Sequence, residues 1–211
     1  MKNRDYKQFT AGEYYHIYNR ANNKNNIFLE SDDFKFFLLR LKQNLFPSEE
    51  EMVKSRITLL PPDSFSLTCY CLMPNHFHFL LRQNGDLPTS KLLSKVCTSY
   101  SMYFNKKYKR VGNVLQSKFK QVLIDDNAYL NWLSAYIHQN PKVSGLVDDS
   151  ADYPWSSYPD FLGLRVDKLC EKGIIIEQFK STKEYKKFVD ESYEIIKQRK
   201  ELEHLLLDSD N

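Results

Sequence analysis

Met73-Pro74-Asn75-His76-Phe77-His78-Phe79-Leu80-Leu81 decides how this chain is read. Pro74 presets the backbone for a tight turn, and the apolar run after it reads as a strand. Side chains along a strand alternate between its two faces. His76 and His78 therefore look at one point in space, and Phe77 turns the other way into a core. Two neutral imidazoles on one face are a natural start for a divalent-metal site. An isolated His-x-His has a plainer reading, two polar residues on the wet face of an edge strand, because short motifs match often by chance. The sequence downstream reverses that balance.

On either side of this stretch, strand and helix signals alternate. Residues 14–19 are rich in β-formers and read as a first strand. The Asn-rich run 19–26 is a loop. Ser31 or Asp32 is placed to cap a helix through about Asn44, with Phe34, Phe37, Leu38 and Leu41 on one face. Residues 47–62 form a polar connection with room for a short helix. Residues 64–71 read as the second strand, and the strand carrying His76 and His78 as the third. Residues 87–108 form a long helix with Pro88 near its first turn, and 117–124 the fourth strand. Asp125-Asp126-Asn127 caps a further helix, expected to end near Gln139, before Pro141. The order β-α-β-β-α-β-α is that of an α+β, ferredoxin-like split βαβ fold. It implies a four-stranded antiparallel sheet with helices on one face.

This domain is expected over residues 1–165, with a C-terminal helical extension over 166–211. The aromatic, turn-rich segment 153–158 is expected to pack back on the domain. In a tail helix over 182–207, Tyr185, Phe188, Val189, Tyr193 and Ile196 keep helical spacing, which suits docking on the domain or on a partner.

The 211 residues suffice for one well-buried domain with an appendage. No apolar run approaches the roughly 20 residues that span a bilayer. The charged first residues are followed by no apolar core, so no signal peptide is expected. Cys69, Cys71, Cys97 and Cys170 include no C-x-x-C pair. Cys69 and Cys71 share a strand face and suit small apolar packing. A reduced, cytoplasmic protein is expected.

Charge is unevenly distributed. No acidic residue lies between Asp86 and Asp125, an interval holding Lys91, Lys95, Lys106, Lys107, Lys109, Arg110, Lys118 and Lys120. The remainder carries 22 basic and 27 acidic residues. Such asymmetry suggests a polyanionic partner. Tyr100, Tyr103, Phe104, Tyr108 and Phe119 are interleaved with these charges, and any exposed ring can stack on unpaired bases. A solvated basic face is the plainer alternative.

The last helix of the fold contains Tyr136-Ile137-His138-Gln139-Asn140-Pro141. Tyr136 and Asn140 are i and i+4 and share a face. If that face meets the two histidines, Asn140 can supply an oxygen as a third ligand. Tyr136 can then attack a phosphate polarised by the metal, giving a phosphotyrosine. Periodicity alone does not select Tyr136 among the 14 tyrosines.

The chain resembles the single-tyrosine HUH transposases, and within them the REP-associated tyrosine transposases. The resemblance spans residues 14–163. It rests on YHIYNRANNKNNIF (15–28), CYCLMPNHFHFLL (69–81), GNVLQSKFKQVLIDDNAYL (112–130), YIHQNPKVSGLV (136–147) and YPWSSY (153–158), in the family's order. It implies a nuclease and strand transferase on single-stranded, often hairpin, DNA that leaves a 5′-phosphotyrosine and a free 3′-hydroxyl. It implies Tyr136 as nucleophile and His76, His78 and Asn140 as ligands of Mg²⁺ or Mn²⁺. Insertion-sequence relatives often carry Gln where Asn140 stands. The resemblance allows a monomer or a homodimer, with no membrane role, and leaves His138 unassigned. Lys106, Lys107, Arg110, Lys118 and Lys120 are candidate contacts to the DNA backbone, and Arg20 with the Asn-rich loop to bases.

Two other functions compete. A non-catalytic single-stranded nucleic-acid-binding module on a ferredoxin-like sheet would make His76, His78 and Tyr136 dispensable. A metal-dependent phosphodiesterase using water would keep the histidines and tolerate Tyr136→Phe. Replication-initiator relaxases, also HUH proteins, resemble this chain less.

Overall fold

Phe77, Phe79 and Leu81 face one apolar core, and His76, His78 and Leu80 the other side of the same strand. In this computed structural model, which describes residues 11–48 and 59–208, that strand is interior to a four-stranded antiparallel sheet. The strands are β1 (Tyr14–Arg20), β2 (Phe65–Met73), β3 (His76–Gln83) and β4 (Lys120–Ile124), in the order β2-β3-β1-β4. Helix α1 (Ser31–Leu45) links β1 to β2, and α2 (Thr89–Lys107) links β3 to β4. Antiparallel β3 thus lies between β1 and β2, which is the split βαβ arrangement.

The helices expected on one face are α1 and α2. Phe34, Phe37 and Leu41 of α1 and Leu92, Val96 and Tyr100 of α2 pack on Phe77, Phe79 and Leu81. Helix α3 (Asn127–Val143) departs from that expectation and lies on the opposite face. Its Leu130, Leu133 and Ile137 join Cys69, Cys71, Met73 and Leu80 in a second core. The reason is that β2 and β3 are apolar on both faces, as strands buried on both sides are. A bulge between Leu67 and Cys69 moves Cys69 and Cys71 onto the α3 side while Tyr70 and Leu72 stay on the other.

Edge strand β2 is covered by the aromatic segment that follows α3. Leu72 N–H donates to Trp155 C=O, Ser157 N–H to Tyr70 C=O, and Glu171 N–H to Leu67 C=O. These bonds satisfy an otherwise open strand edge. A one-turn helix α4 (Tyr158–Phe161) and a second, α5 (Gly173–Ile176), lead to the tail. The tail is two helices rather than one, α6 (Thr182–Glu191) and α7 (Tyr193–Asp208), parted at Ser192, whose hydroxyl bonds to Phe188 C=O. Tyr185, Val189 and Ile196 are fully buried, so the tail docks on the domain.

Two helix ends also differ from expectation. Helix α1 is capped by Glu30 rather than Ser31 or Asp32, because the buried Asp33 carboxylate reaches back to Leu29 and Glu30 N–H (2.8 and 3.1 Å). Helix α3 runs through Pro141 to Val143. A proline in the final turn removes one N–H, and Asn140 Nδ2 adds a side-chain bond to Tyr136 C=O (2.8 Å). The short helix allowed within residues 47–62 falls largely on 49–58, outside the described residues. No described helix is long and apolar enough to cross a membrane.

Asp33 ties the two crossover helices together. Besides the two amides it accepts from Lys107 Nζ (2.6 Å) and Tyr108 Oη (2.8 Å) at the end of α2. Removing a buried charged acceptor leaves its donors unpaired. Asp33→Ala should lower unfolding free energy by about 3 kcal/mol, measured by urea denaturation; a loss below about 1 kcal/mol would contradict this role.

Candidate active site

Antiparallel pairing puts Tyr18 and Cys71 opposite His78, and Arg20 and Met73 opposite His76. On this face the imidazoles of His76 and His78 stand 5.0 Å apart between centroids, at 84°. The Tyr136 ring meets His78 edge-on at 5.6 Å and 90°. Sequence reasoning placed these three side chains together, and the fold does so through β3 and α3.

Each metal-candidate histidine is engaged at Nδ1. His76 Nδ1–H donates to Asn75 Oδ1 (2.6 Å), and His78 Nδ1 pairs with His16 Nε2 (3.0 Å). His78 Nε2 is buried and has no hydrogen-bond partner. An unpaired buried nitrogen is unusual in folded proteins; on a histidine whose other nitrogen is oriented, it is the arrangement seen at metal ligands. Asn140, fully buried, turns Oδ1 to Lys200 Nζ (2.7 Å).

Burial also sets the charge of these groups. It lowers His76 to about 3, with the Lys200 and Arg20 cations adding to the effect. It lowers His16 to about 4. For His78, burial and then the neighbouring His76 and His16 push the value well down. All are neutral near pH 7, which is the form that binds metal. Two neutral imidazoles and an amide oxygen make a donor set that fits a divalent ion.

Two groups here were invisible to sequence reasoning. His16 comes from β1, and Lys200 from α7, 60 residues past Asn140. Helix α3 adds an aromatic row: Tyr129 stacks on Trp132 (5.8 Å) and Trp132 on Tyr136 (5.6 Å). Arg199 lies 4.8 Å over Trp132. His138, on another face of α3, is structural: its nitrogens bond to Tyr185 Oη (2.8 Å) and Ser157 Oγ (2.9 Å).

The candidate DNA-binding cations are divided. Arg20, beside His76, is exposed, as are Lys106, Arg110, Lys118 and Lys120. Lys107 instead commits its ammonium to Asp33 and Glu30. Arg110 covers Phe104, and Lys120 lies over Tyr18, a neighbour of both His16 and His78. Asn22, Asn113, Leu115, Gln116, Ser117 and Lys118 line a groove of about 370 Å³. Backbone bonds from Asn22 N–H to Val114 C=O and from Gln116 N–H to Arg20 C=O tie that groove to the end of β1 that carries Arg20.

The family model described as "Transposase IS200 like" matches residues 11–140, which include His76, His78, Tyr136 and Asn140. This chain belongs to the IS200-like transposase family. The family is one of DNA-processing enzymes. A Haemophilus influenzae protein provisionally named a REP-associated tyrosine transposase is 31% identical over 107 residues, covering 44% of this chain and 59% of that relative. This chain thus aligns with under two thirds of that relative's length. A solved REP-associated tyrosine transposase bound to a REP hairpin is similar in fold, with a TM-score of 0.56 at 15% identity. That match covers 81% of this chain and 98% of the solved one.

The buried histidines predict acid sensitivity. Their folded-state values lie below the unfolded value near 6.5, so as pH falls through 6.5 the unfolded chain takes up protons that the folded chain refuses. Stability is then lost at about 1.4 kcal/mol per pH unit for each such group. His138, lowered by burial to about 3, and His78 both contribute. The urea midpoint should fall steadily from pH 7 to pH 5; a flat midpoint across that range would show that these histidines are not held neutral.

Proposed function

We propose that this chain is a metal-dependent nuclease and strand transferase on single-stranded hairpin or repeat DNA, with Tyr136 as nucleophile. The observation that carries this reading is the unpartnered His78 Nε2 buried beside the Tyr136 ring. His76 and His78 through Nε2, and Asn140 through Oδ1, would hold Mg²⁺ or Mn²⁺. When bound, the ion supplies Lewis-acid stabilisation of charge on the scissile phosphate. Asn140 Oδ1 accepts from Lys200 Nζ, so this ammonium would have to leave for the oxygen to serve as a ligand.

The Tyr136 hydroxyl attacks phosphorus in line, a Tyr136 Oη–P bond forms, and the P–O3′ bond breaks. The phenol loses one proton and the leaving 3′-oxygen gains one, so the step is proton-neutral overall. The 5′-phosphotyrosine conserves the phosphodiester, and a second 3′-hydroxyl can reverse the step and join new strands. Tyr129 and Trp132 extend the aromatic row outward from Tyr136, a surface on which unpaired bases stack. Exposed Arg20, Lys106, Arg110, Lys118 and Lys120 supply sequence-independent attraction to phosphates. A hairpin substrate is favoured because the solved relative of this fold is one bound to a REP hairpin.

Incubation of the full chain with end-labelled hairpin DNA and Mn²⁺ should give a denaturation-resistant protein–DNA adduct. Tyr136→Phe should abolish the adduct and reduce cleavage by at least 10³-fold, the scale of losing a covalent nucleophile. Cleavage that persists in Tyr136→Phe without an adduct would replace this mechanism with a water nucleophile.

A further inference from the structure

The histidine behind His78 has no role in the reading above. His16 is 7% exposed, its ring lies 19° from parallel with that of His78 at 5.2 Å, and its Nε2 is 3.0 Å from His78 Nδ1. A 3.0 Å contact between two ring nitrogens is a hydrogen bond, so one proton lies between them, and it belongs to one ring or the other.

The surroundings choose between the two tautomers. If His16 Nε2–H donates, His78 carries its own proton on Nε2, where it is a buried donor with no acceptor. A buried donor left unpaired costs about 1–3 kcal/mol. If His78 Nδ1–H donates to His16 Nε2, His78 Nε2 is instead a bare lone pair. Under-satisfied acceptors are tolerated better than orphaned donors, and this one can be satisfied by a cation.

The geometry points to His16 as a positioning residue that accepts from His78 Nδ1–H and so fixes His78 with its Nε2 lone pair directed into the site. This rests on the metal-dependent reading given above and deepens it. His16 is not itself a ligand: its Nε2 is taken by His78, and among the described residues no three His, Cys, Asp or Glu side chains converge as a metal site. Asn75 does for His76 what His16 does for His78, through its bond to Nδ1. Both orienting groups are neutral. The donor set then carries no negative charge of its own.

Two measurements on the full chain test this. Long-range ¹H–¹⁵N NMR of the metal-free protein at pH 7 should show His78 protonated at Nδ1; protonation at Nε2 would overturn the inference. In Mn²⁺ titrations without DNA, followed by electron paramagnetic resonance, His16→Phe should bind 10–100-fold more weakly than wild type, the usual effect of losing an orienting partner. His16→Gln, whose amide oxygen accepts the same proton, should stay within about threefold on that scale. Circular dichroism establishes that each variant is folded; if His16→Phe is not, the tautomer and His16→Gln decide. Equal Mn²⁺ binding by wild type and His16→Phe, with binding lost in His78→Ala, would remove His16 and leave the metal reading standing. Wild type that binds no Mn²⁺ would remove both.

Discussion

The two-residue alternation of β3 is the constraint on which the rest of the structure depends. Phe77, Phe79 and Leu81 build one core, and His76, His78 and Leu80 lie under α3. A slip of one residue would bury the histidines among phenylalanines and expose the phenylalanines to the site. The register is pinned from outside the sheet. Asn75 C=O accepts from Ala21 N–H, and Pro74 C=O accepts from Ile27 and Phe28 N–H, so the loop after β1 clamps the β2–β3 turn. The chain between β1 and α1 therefore fixes where the metal-candidate imidazoles stand.

Helix α3, which carries Tyr136, is held with comparable redundancy. Asp126 caps it through Ala128 and Tyr129 N–H. Ser134 and His138 bond to Tyr185, and Gln139 to Val189 C=O and Ser150 Oγ. The bonds to Tyr185 and Val189 join α3 to α6, and α7 returns Arg199 over Trp132 and Lys200 to Asn140. The C-terminal extension is consequently part of the wall of the site. Its cations face the atoms that the proposed chemistry uses.

The parts of this account legible in the sequence were those governed by local patterns. Period-2 alternation gave the convergence of His76 and His78, and element order gave the split βαβ sheet. Tyr136 and Asn140 share a helix face by spacing, but only a family resemblance singled them out among many tyrosines. Long-range pairing was not legible. His16 sits in an unremarkable aromatic strand, and its link to His78 exists only once β1 pairs with β3. Lys200 meets Asn140 only because the tail folds back. Helix α3 covers the second face because β2 and β3 are apolar on both sides, and the bulge that turns Cys69 and Cys71 to that side is announced by no local pattern. The cap of α1 falls on Glu30 because the Asp33 carboxylate, at the third helical position, accepts from the Leu29 and Glu30 amides, a reach that the residues at the start of the helix do not announce.

The central claim is that His76, His78 and Asn140 form one divalent-cation site against Tyr136. Anomalous diffraction at the manganese edge from crystals grown with Mn²⁺ tests it most directly. The account predicts a single strong peak at coordination distance from Nε2 of both histidines, with Asn140 Oδ1 turned from Lys200 toward the ion. A peak elsewhere on the protein, or none at this site with both Nε2 atoms hydrogen-bonded to other groups, would contradict it.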